Sequence, residues 1–594
     1  MQATNTLHPE DFMDPIDMDT LSFLDDENVT VEEKLRTIDE NIEKHQKIFD
    51  KAQAAISVLK ARRNVLIPIS CIPSEILEHI FSFVGCQSTV TDPVARASQQ
   101  HLERVALTHV CRQWRSIAVN SSSLWVSLPI RMNKWIRDIL NRSKDTLHSV
   151  DIGLTELHDL TTGSGCLFAF QNTHRLKEIC IWGIDQLTAL FLSSRLPKSA
   201  PKLESFKLVG HPIVGGPPNI PNNVLNDTPR LRLLHLVNCD IDWGIHKLLQ
   251  CSLTNLQLTD INPNNMPTGK QFIAVLKKMH GLQVLNLGNA LPPRDIHGTS
   301  SWGPENIHLE KLQALRIKSS STPAEDFFRN VTFPPTAVVH TILHPSEGNA
   351  DFSSVLFEIG RSYSDASVCS QSLILSVIKP WGLQLRLLPE LSHNYDVDER
   401  LVAAPGPLVA VMLDMTFHCP DATALQKLAS DIFACGVNLH DIKHAYLLSM
   451  GDTLLPETLA KTIGKLPGLD LVIVKSSSIA AFFKAMMDFN LPSGGAAESE
   501  NPIQPYFATV SSVCLSSIAF VTEEKGTAGS SKSKPFYMPE FLTQRNNLGK
   551  PLERLVLRNC TGINKEFQAT IEKVVGKVDV RHNMTATSGR STKG

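Results

Sequence analysis

The stretch from Ile72 to Val84 reads Ile-Pro-Ser-Glu-Ile-Leu-Glu-His-Ile-Phe-Ser-Phe-Val. Its apolar residues recur at helical spacing and share one wide face: Ile76, Leu77, Ile80, Phe81 and Val84. Two further blocks follow, Val105–Ala118 and Ser123-Leu124-Trp125. Each block alone fits an ordinary buried helix. Together they predict three short helices, too few to close a core without sharing apolar surface with a partner.

In this order the three blocks resemble an F-box of the kind common in large fungal families. The matching positions are Ile72, Pro73, Glu75, Ile76, Leu77, Ile80 and Phe81, then Val110, Cys111, Arg112, Trp114, Arg115, Ile117 and Ala118, then Leu124 and Trp125. We assign the resemblance to residues 70–128, under a tenth of the chain. The segment Gly85–Gln100 departs from the pattern, since it is longer than in the shortest F-boxes.

The resemblance implies a function as well as a fold. F-box domains dock the Skp adaptor of SCF (Skp–cullin–F-box) ubiquitin ligases and so reach the cullin, while the rest of the chain carries a protein target. The implied Skp-adaptor-binding residues are Ile72, Pro73, Glu75, Ile76, Leu77, Ile80, Phe81, Val110, Cys111, Trp114, Leu124 and Trp125. Cys111 lies in an apolar stretch, which favours a small core residue over a nucleophile.

A long helix is predicted ahead of this region. Residues 1–29 are acidic and contain Pro9 and Pro15, which is typical of a disordered tail. Residues 30–66 then open with a capping box formed by Thr30 and Glu33. Apolar positions alternate in spacings of three and four on one seam: Val31, Leu35, Ile38, Ile42, His45, Phe49, Ala52, Ile56 and Leu59. His45 and Ala52 weaken this seam, which leaves open whether the helix self-associates as a coiled coil or packs on its own domain.

A second pattern, apolar-x-x-apolar-x-apolar, recurs after residue 140 at intervals of 22 to 30 residues. The regular units are Leu147/Val150/Ile152, Leu176/Ile179/Ile181, Leu203/Phe206/Leu208, Leu231/Leu234/Leu236, Leu253/Leu256/Leu258, Leu282/Leu285/Leu287 and Leu312/Leu315/Ile317. Cys239 and Asn289 each follow a unit, as in leucine-rich repeats. The pattern predicts one strand per unit, with helices in stretches such as Trp243–Leu249 and Gln271–Met279.

The repeats then become irregular. Weaker units are Leu408/Val411/Leu413, Ile442/Ala445/Leu447, Leu469/Val472/Val474 and Val510/Val513/Leu515, and a clear one is Leu552/Leu555/Leu557 followed by Cys560. Residues 320–400 do not keep the period. We assign 140–575 to a leucine-rich-repeat-like substrate-binding region, with loops near 493–502 and 523–534 and a flexible tail at 582–594. The fold class expected is mixed α and α/β: an N-terminal helix or coiled coil, a three-helix F-box, then an irregular leucine-rich-repeat solenoid.

Bulk composition narrows the function classes. The 594 residues carry a net charge of −3, so no nucleic-acid partner is indicated. No run of apolar residues is long enough to span a membrane, and Met1–Glu27 lacks the features of a signal peptide. The twelve cysteines show no Cys-x-x-Cys spacing, which argues against a zinc ribbon and favours a reducing compartment. We expect a cytoplasmic or nuclear protein.

No catalytic, cofactor or metal site is predicted, and we expect a non-enzymatic protein. Gly526–Ser533 resembles a phosphate-binding loop but has Ser531 where a glycine is needed. His440 and His444 could share a helix face, yet no third metal ligand accompanies them. The alternative to a ligase adaptor is an interaction scaffold outside ubiquitin ligation. The two hypotheses differ in whether the N-terminal helix permanently covers the face formed by Ile76, Leu77, Ile80 and Phe81, which would block adaptor docking. A third possibility is that this helix regulates access to the face.

Overall fold

The chain folds into two compact units, residues 1–146 and 147–594. The computed structural model describes residues 28–84, 93–129, 135–153, 170–186, 189, 195–211, 217–294, 301–347, 351–363, 370–389, 411–434, 439–449, 453–475, 479–487, 506–518, 520, 538–547, 549–563 and 565–581. Several predictions lie outside these residues: the acidic tail up to residue 27, most of the segment 85–100 up to residue 92, the loops 493–502 and 523–534, the stretch 526–533, and the tail 582–594.

The first unit begins with the long helix α1, Val31–Val65. The predicted capping box is confirmed: the Glu33 amide donates to Thr30 Oγ1 at 3.4 Å, and the Thr30 amide donates to the Glu33 carboxylate at 3.3 Å. Arg62 and Arg63 lie in the last turn, where positive charge is favourable. No residue of α1 is buried.

Four short helices and one strand complete the first unit. They are α2 (Ser74–Ser82), α3 (Pro93–Leu107), α4 (Arg112–Asn120), β1 (Ser127–Pro129) and α5 (Ile136–Arg142). The third sequence block forms a single 3-10 turn, Ser122–Trp125. Side-chain bonds tie these elements together, since Ser121 Oγ donates to Glu78 Oε1 at 2.5 Å and Gln113 Nε2 donates to the Ser70 carbonyl at 3.3 Å.

The second unit is built on one large, mostly parallel sheet that does not close into a barrel. Its strands are β2 (His148–Gly153), β3 (Leu176–Ile184), β4 (Ser205–Gly210), β5 (Leu233–Val237), β6 (Asn255–Thr259), β7 (Val284–Gly288), β9 (Ala314–Ser320), β11 (Val338–His344), β12 (Ser372–Ile378), β13 (Gly382–Leu388), β14 (Leu413–His418), β15 (His444–Leu448), β16 (Leu471–Lys475), β17 (Ser512–Ser516), β18 (Arg554–Arg558) and β19 (Lys577–Arg581). A separate parallel pair joins β8 (Ile307–His308) and β10 (Val331–Thr332).

Helices connect many of these strands. They are α6 (Gly269–Leu276), α7 (Ser321–Asn330), α8 (Ser353–Tyr363), α9 (Ala422–Ala434), α10 (Pro456–Lys461), α11 (Ile479–Met487), α12 (Met538–Asn547) and α13 (Lys565–Glu572). The predicted helix at Gln271–Met279 overlaps α6. The helix predicted at Trp243–Leu249 was wrong, because only a 3-10 turn forms there, at Lys247–Gln250.

The repeat positions predicted from the sequence stack in register. Phe206 pairs with Leu234, Leu234 with Leu256, and the series continues through Leu285 to Leu315. The third positions form a parallel series, Leu208, Leu236, Leu258, Leu287 and Ile317, and these side chains are at most 4% exposed. The same alignment returns at the other end of the sheet, from Ala445 through Val472 and Val513 to Leu555. Leucine spacing therefore specifies stacked strands with one buried side.

Residues 320–400, which the sequence left unplaced, contain the point where the sheet changes direction. β11 pairs in parallel with β9 and with β14, but β13 runs antiparallel to both β14 and β12, and β12 then pairs in parallel with β15. Leu413 aligns with Val339 and hence with Leu315. The predicted repeat unit that ends at Leu413 was thus wrong by two residues, because it made Leu413 the third apolar position and the structure makes it the second. A strand with alternating apolar residues fits the repeat pattern equally well after a shift of two residues.

A recurring turn closes many of the parallel strands. The residue directly after the strand has a positive φ at Asn238, Asp260, Asn289, Ser449, Ser517 and Asn559. Cys239 and Cys560 then follow, and each thiol lies within hydrogen-bonding distance of a carbonyl of the preceding strand, Leu208 at 3.7 Å and Leu515 at 3.4 Å. Asn289 occupies the turn position of Asn238 rather than that of Cys239. These turns show the same local structure at sequence positions over 300 residues apart.

Candidate functional site

The twelve residues expected to bind an adaptor fall into two groups. Four are buried inside the first unit: Leu77 and Phe81 are 0% and 1% exposed, and Leu124 and Trp125 are 2% and 1% exposed. The others reach the surface fully or in part: Ile72, Pro73, Glu75, Ile76, Ile80, Val110, Cys111 and Trp114. The two groups therefore have different immediate roles, one in the core of the unit and one at its surface. Their role in adaptor binding stays a prediction.

The buried group forms a small core around Trp125. The indole N–H donates to the Ala118 carbonyl at 2.8 Å, which satisfies its one polar group. The guanidinium of Arg142 lies 4.8 Å from the ring centre, in cation–π range. Phe81 packs against Trp114 with ring centres 4.8 Å apart. This core joins α2 to α4 and to the 3-10 turn, and so fixes which face of α2 points outward.

The outward face of α2 is apolar. Ile76 is 52% exposed, Ile80 is 43% exposed and Phe83, directly after the helix, is 62% exposed. Their spacing of four and three places them on one stripe of the helix. Sequence analysis missed Phe83 as a surface residue, although the i+3 step from Ile80 contains the signal. Val110 adds a further exposed apolar side chain ahead of α4. We refer to Ile76, Ile80 and Phe83 as the α2 face.

Residues 69–131 match the F-box-like family model. The resemblance of residues 70–128 to an F-box is thereby confirmed, and the match ends before the repeat region. No curated protein matches the chain. In this F-box-like domain the buried leucine, phenylalanine and tryptophan side chains hold the helices together, while the α2 face remains available.

Cys111 has a structural position in the F-box-like domain that its sequence context did not predict. It is the N-cap of α4, and its Sγ accepts a hydrogen bond from the Trp114 amide at 3.4 Å. The expectation of a small core residue was wrong, because Cys111 is half-buried at the helix start. Its side chain satisfies one of the free amides of the first turn and keeps the entry to α4 compact.

The N-terminal helix leaves the α2 face uncovered. All of α1 lacks buried residues, and Ile76 and Ile80 are about half exposed in its presence. Gln113, from α4, bonds instead to the 3-10 turn that follows α1. Within the part of the first unit that the structure describes, α1 therefore does not lie over this face.

The sheet of the second unit has a second candidate surface, on the side opposite the repeated leucines. We call the residue between the second and third repeat positions of each strand the middle row. From β4 to β9 the middle row is polar and partly or fully exposed: Lys207, His235, Gln257, Asn286 and Arg316. Lys207 acts electrostatically on Asp151 of β2, since its positive charge opposes the rise that burial causes in the pKa of that carboxyl. This row is open to a polar ligand.

On β12, β15, β16, β17 and β18 the middle row is apolar and buried. Its members, Ile374, Tyr446, Ile473, Cys514 and Val556, are at most 6% exposed and form one cluster with Leu388, Leu448 and Leu471. Val411 packs against this cluster. Burial raises the pKa of Tyr446 to about 12 and that of Cys514 to about 12. Cys514 is therefore a neutral core thiol at physiological pH, not a nucleophile.

A buried polar group separates the two halves of the middle row. Arg386 Nε donates to Asp414 Oδ2 at 3.1 Å, and Gln384 Nε2 donates to Asp414 Oδ1 at 2.9 Å. His340 Nε2 lies 3.7 Å from the same carboxylate. Burial lowers the pKa of His340, while the negative charge of Asp414 opposes that shift. The cluster joins the antiparallel strand β13, which carries Arg386 and Gln384, to the parallel strands β14 and β11.

Other candidate sites from the sequence are not assembled by the fold. His444 lies on β15, with Nδ1 3.4 Å from Ser372 Oγ, while His440 precedes the strand. The two histidines therefore do not share a helix face, which the sequence had left as a possibility. Within the described ranges, no cluster of three His, Cys, Asp or Glu side chains is placed to hold a metal ion. No helix among the described residues is long and apolar enough to cross a membrane.

Proposed function

We propose that this protein is a substrate-recognition adaptor of an SCF-type ubiquitin ligase. Its F-box-like domain docks a Skp-type adaptor and, through it, a cullin. Its second unit holds a protein target for ubiquitination. The observation that carries the proposal is the exposed apolar α2 face on a domain whose own core is already closed.

The energetic argument concerns two isoleucines and one phenylalanine. Each is about half exposed, so a partner that covers it would contribute roughly half of the about 1.5–3 kcal/mol that full burial of such a side chain gives. Apolar anchors at the centre of an interface dominate its affinity. The α2 face has that composition, and Pro73 and Glu75 lie exposed at its start. A Skp-type adaptor is the partner that an F-box-like domain suggests.

For the second unit we propose an irregular leucine-rich-repeat solenoid. Three observations support it: the leucine positions stack in register, a left-handed residue closes many of the strands, and Cys239 and Cys560 make equivalent thiol contacts. Such arrays expose the strand side opposite the core as an extended binding surface. The polar middle row of β4 to β9 is then the surface that receives the target.

The proposal includes a non-catalytic role for this chain. Ubiquitin transfer would be performed by partner subunits, and this chain would supply proximity and orientation. The described cysteines of the repeats are free thiols, several of them buried, which suits a reducing compartment. We therefore place the assembly in the cytoplasm or the nucleus.

The test is a binding measurement between the purified full chain and a Skp-type adaptor. The variant Ile76→Asp/Ile80→Asp changes two exposed residues and should remain folded by circular dichroism. We expect its adaptor affinity to fall by at least about 30-fold, since one anchor contributes about 2 kcal/mol. Ile245→Asp is the matched control, because Ile245 is 62% exposed in the second unit.

Two outcomes would overturn the proposal. One is a folded Ile76→Asp/Ile80→Asp variant that binds the adaptor as tightly as the wild type. The other is a folded wild type that does not bind at micromolar concentration, even after removal of residues 1–66. The second outcome would favour the interaction scaffold, whose binding surfaces would be α1 and the repeats.

A further inference from the structure

Helix α1 has an apolar seam that nothing in its own unit covers. Along its 35 residues the structure buries none. Six of the seven large seam residues are more than half exposed: Val31, Leu35, Ile42, Phe49, Ile56 and Leu59. The seventh, Ile38, is partly buried. Ile48, beside the seam, is 38% exposed. Exposed apolar stripes of this size on soluble proteins mark interaction surfaces.

The seam has the geometry of a two-stranded coiled coil. Alternating steps of three and four residues run unbroken from Val31 to Leu59, which makes about four heptads over about 42 Å of helix. The exposed Glu43–Lys47 ion pair lies on the opposite side. An isolated helix draws little stability from its own backbone bonds, so a partner that covers the seam would contribute most of it.

We propose that α1 pairs with α1 of a second copy of this chain as an antiparallel coiled coil. In a symmetric pair of this kind, residue i contacts residue j and residue j contacts residue i. Antiparallel alignment places Leu35 against the partner's Leu59 and Ile38 against the partner's Ile56. It also places Ile48 against the partner's Ile48 beside the two-fold axis. The seam is thus complementary to itself.

The two weak seam positions, His45 and Ala52, favour antiparallel over parallel pairing of the two helices. In a parallel pair, His45 would face the partner's His45 and Ala52 would face the partner's Ala52, which gives one polar layer and one cavity. In the antiparallel pair, His45 packs against the partner's Phe49, and Ala52 lies opposite the partner's Ile42. Each of these two residues then meets a large apolar one, so the layers from Leu35 to Leu59 are filled. Val31, at the end of the seam, falls opposite the partner's Arg63.

The charges at the two ends of α1 also favour antiparallel pairing. The first turn of α1 contains Glu32 and Glu33, and the last turn contains Arg62 and Arg63. Antiparallel pairing brings Glu32 beside the partner's Lys60 and aligns the helix dipoles favourably. Lys34 is the exception, since it falls beside the partner's Arg62. A parallel pair would instead place the two basic ends together.

The first test is the molar mass of the full chain by light scattering at micromolar concentration. We expect wild type to have about twice the chain mass of 65.6 kDa. Ile42→Glu/Phe49→Glu should have the monomer mass, and its adaptor binding should be unchanged. Val58→Glu is the control, because Val58 is 50% exposed but lies off the seam. A monomeric wild type would overturn the pairing, whatever the adaptor measurement shows.

The second test uses disulfide cross-linking to determine whether the two α1 helices pair antiparallel or parallel. Differently tagged copies carrying Leu35→Cys and Leu59→Cys are mixed and oxidised, with wild type run alongside for the native cysteines. We expect a mixed cross-linked dimer that neither variant forms alone. Cross-linking of Leu35→Cys with itself would overturn the antiparallel arrangement, because only a parallel pair brings the two Leu35 positions together.

Discussion

The two units differ in how they treat their apolar side chains. The first unit exposes eighteen large apolar side chains among its described residues, most of them on α1 and around α2. The second unit is about three times longer, and its described residues include only five such side chains: Ile245, Val338, Phe357, Trp381 and Leu455. The sheet thus buries its own apolar surface, whereas the helices of the first unit leave apolar surface exposed. Binding and stability should therefore depend on different residues in the two units.

The largest effect is expected inside the second unit, between the two halves of the middle row. Ile473→Asp places a charge in the buried cluster and should lower the free energy of unfolding by more than about 4 kcal/mol. Gln257→Asp, at the matching position of β6, should change it by about 0.5 kcal/mol or less. Urea denaturation followed by circular dichroism compares the two. Equal losses would contradict the division of the row into an apolar and a polar half.

The first unit should show a similar contrast between adjacent residues of α2. Phe81→Ala opens a cavity beside Trp114 and should lower the free energy of unfolding by about 3–5 kcal/mol. Ile80→Ala removes an exposed side chain and should change it by about 0.5 kcal/mol or less. Denaturation monitored by tryptophan fluorescence measures both. A large loss at Ile80 would mean that the α2 face belongs to the core of the unit.

Adaptor binding should stabilise only one of the two units. At a free adaptor concentration of about 100 times Kd, linkage predicts about 2.7 kcal/mol of stabilisation. Hydrogen exchange should therefore slow in α2 and α4, while the amides of β5, β6 and β7 keep their rates. Equal protection of the sheet would contradict the independence of the two units in binding.

A smaller effect of pH should appear in both units. Burial lowers the pKa of His101 in α3 to about 4, and it lowers the pKa of His148 at the start of β2 to about 4. Below pH 6.5 the unfolded chain binds protons that the folded chain does not, so stability should fall as the pH drops from about 6.5 to 4. We expect a loss on the order of 1 kcal/mol for each histidine.

The control for this pH effect is His101→Gln. It removes one titrating group from the first unit and should flatten the dependence of its unfolding free energy on pH between 6.5 and 4. The contribution of His148 to the second unit should persist. An unchanged slope in the variant would show that His101 does not titrate differently on folding.

Local sequence patterns were sufficient to predict individual helices and strands, but not how the strands pair in the sheet. Thr30 and Glu33 predicted the start of α1, and the leucine spacing placed strands from β2 to β9, because capping and periodicity are properties of a few neighbouring residues. The reversed direction of β13, between β12 and β14, was not predictable in this way. Strand direction depends on pairing between residues far apart in the chain. The register was also ambiguous, because Leu413 fits either the second or the third apolar position of the repeat.

The same limit applies to the candidate site. The sequence identified Ile76, Leu77, Ile80 and Phe81 as one apolar face, since helical spacing gives only the angular position of each side chain. Packing against Trp114 and Trp125 then divided that face into a buried half and an exposed half. Cys111 is a similar case, since its role as an N-cap depends on where α4 begins.

The sequence by itself determined the F-box-like block, the long capped helix and the regular spacing of the strands, because each rests on a short-range pattern. Only the tertiary structure decided which apolar residues remain exposed. Exposure depends on what the rest of the chain places over a side chain, and no local pattern contains that information. For this reason α1 and α2, which the sequence describes as amphipathic helices, are distinguished as interaction surfaces only in the folded protein.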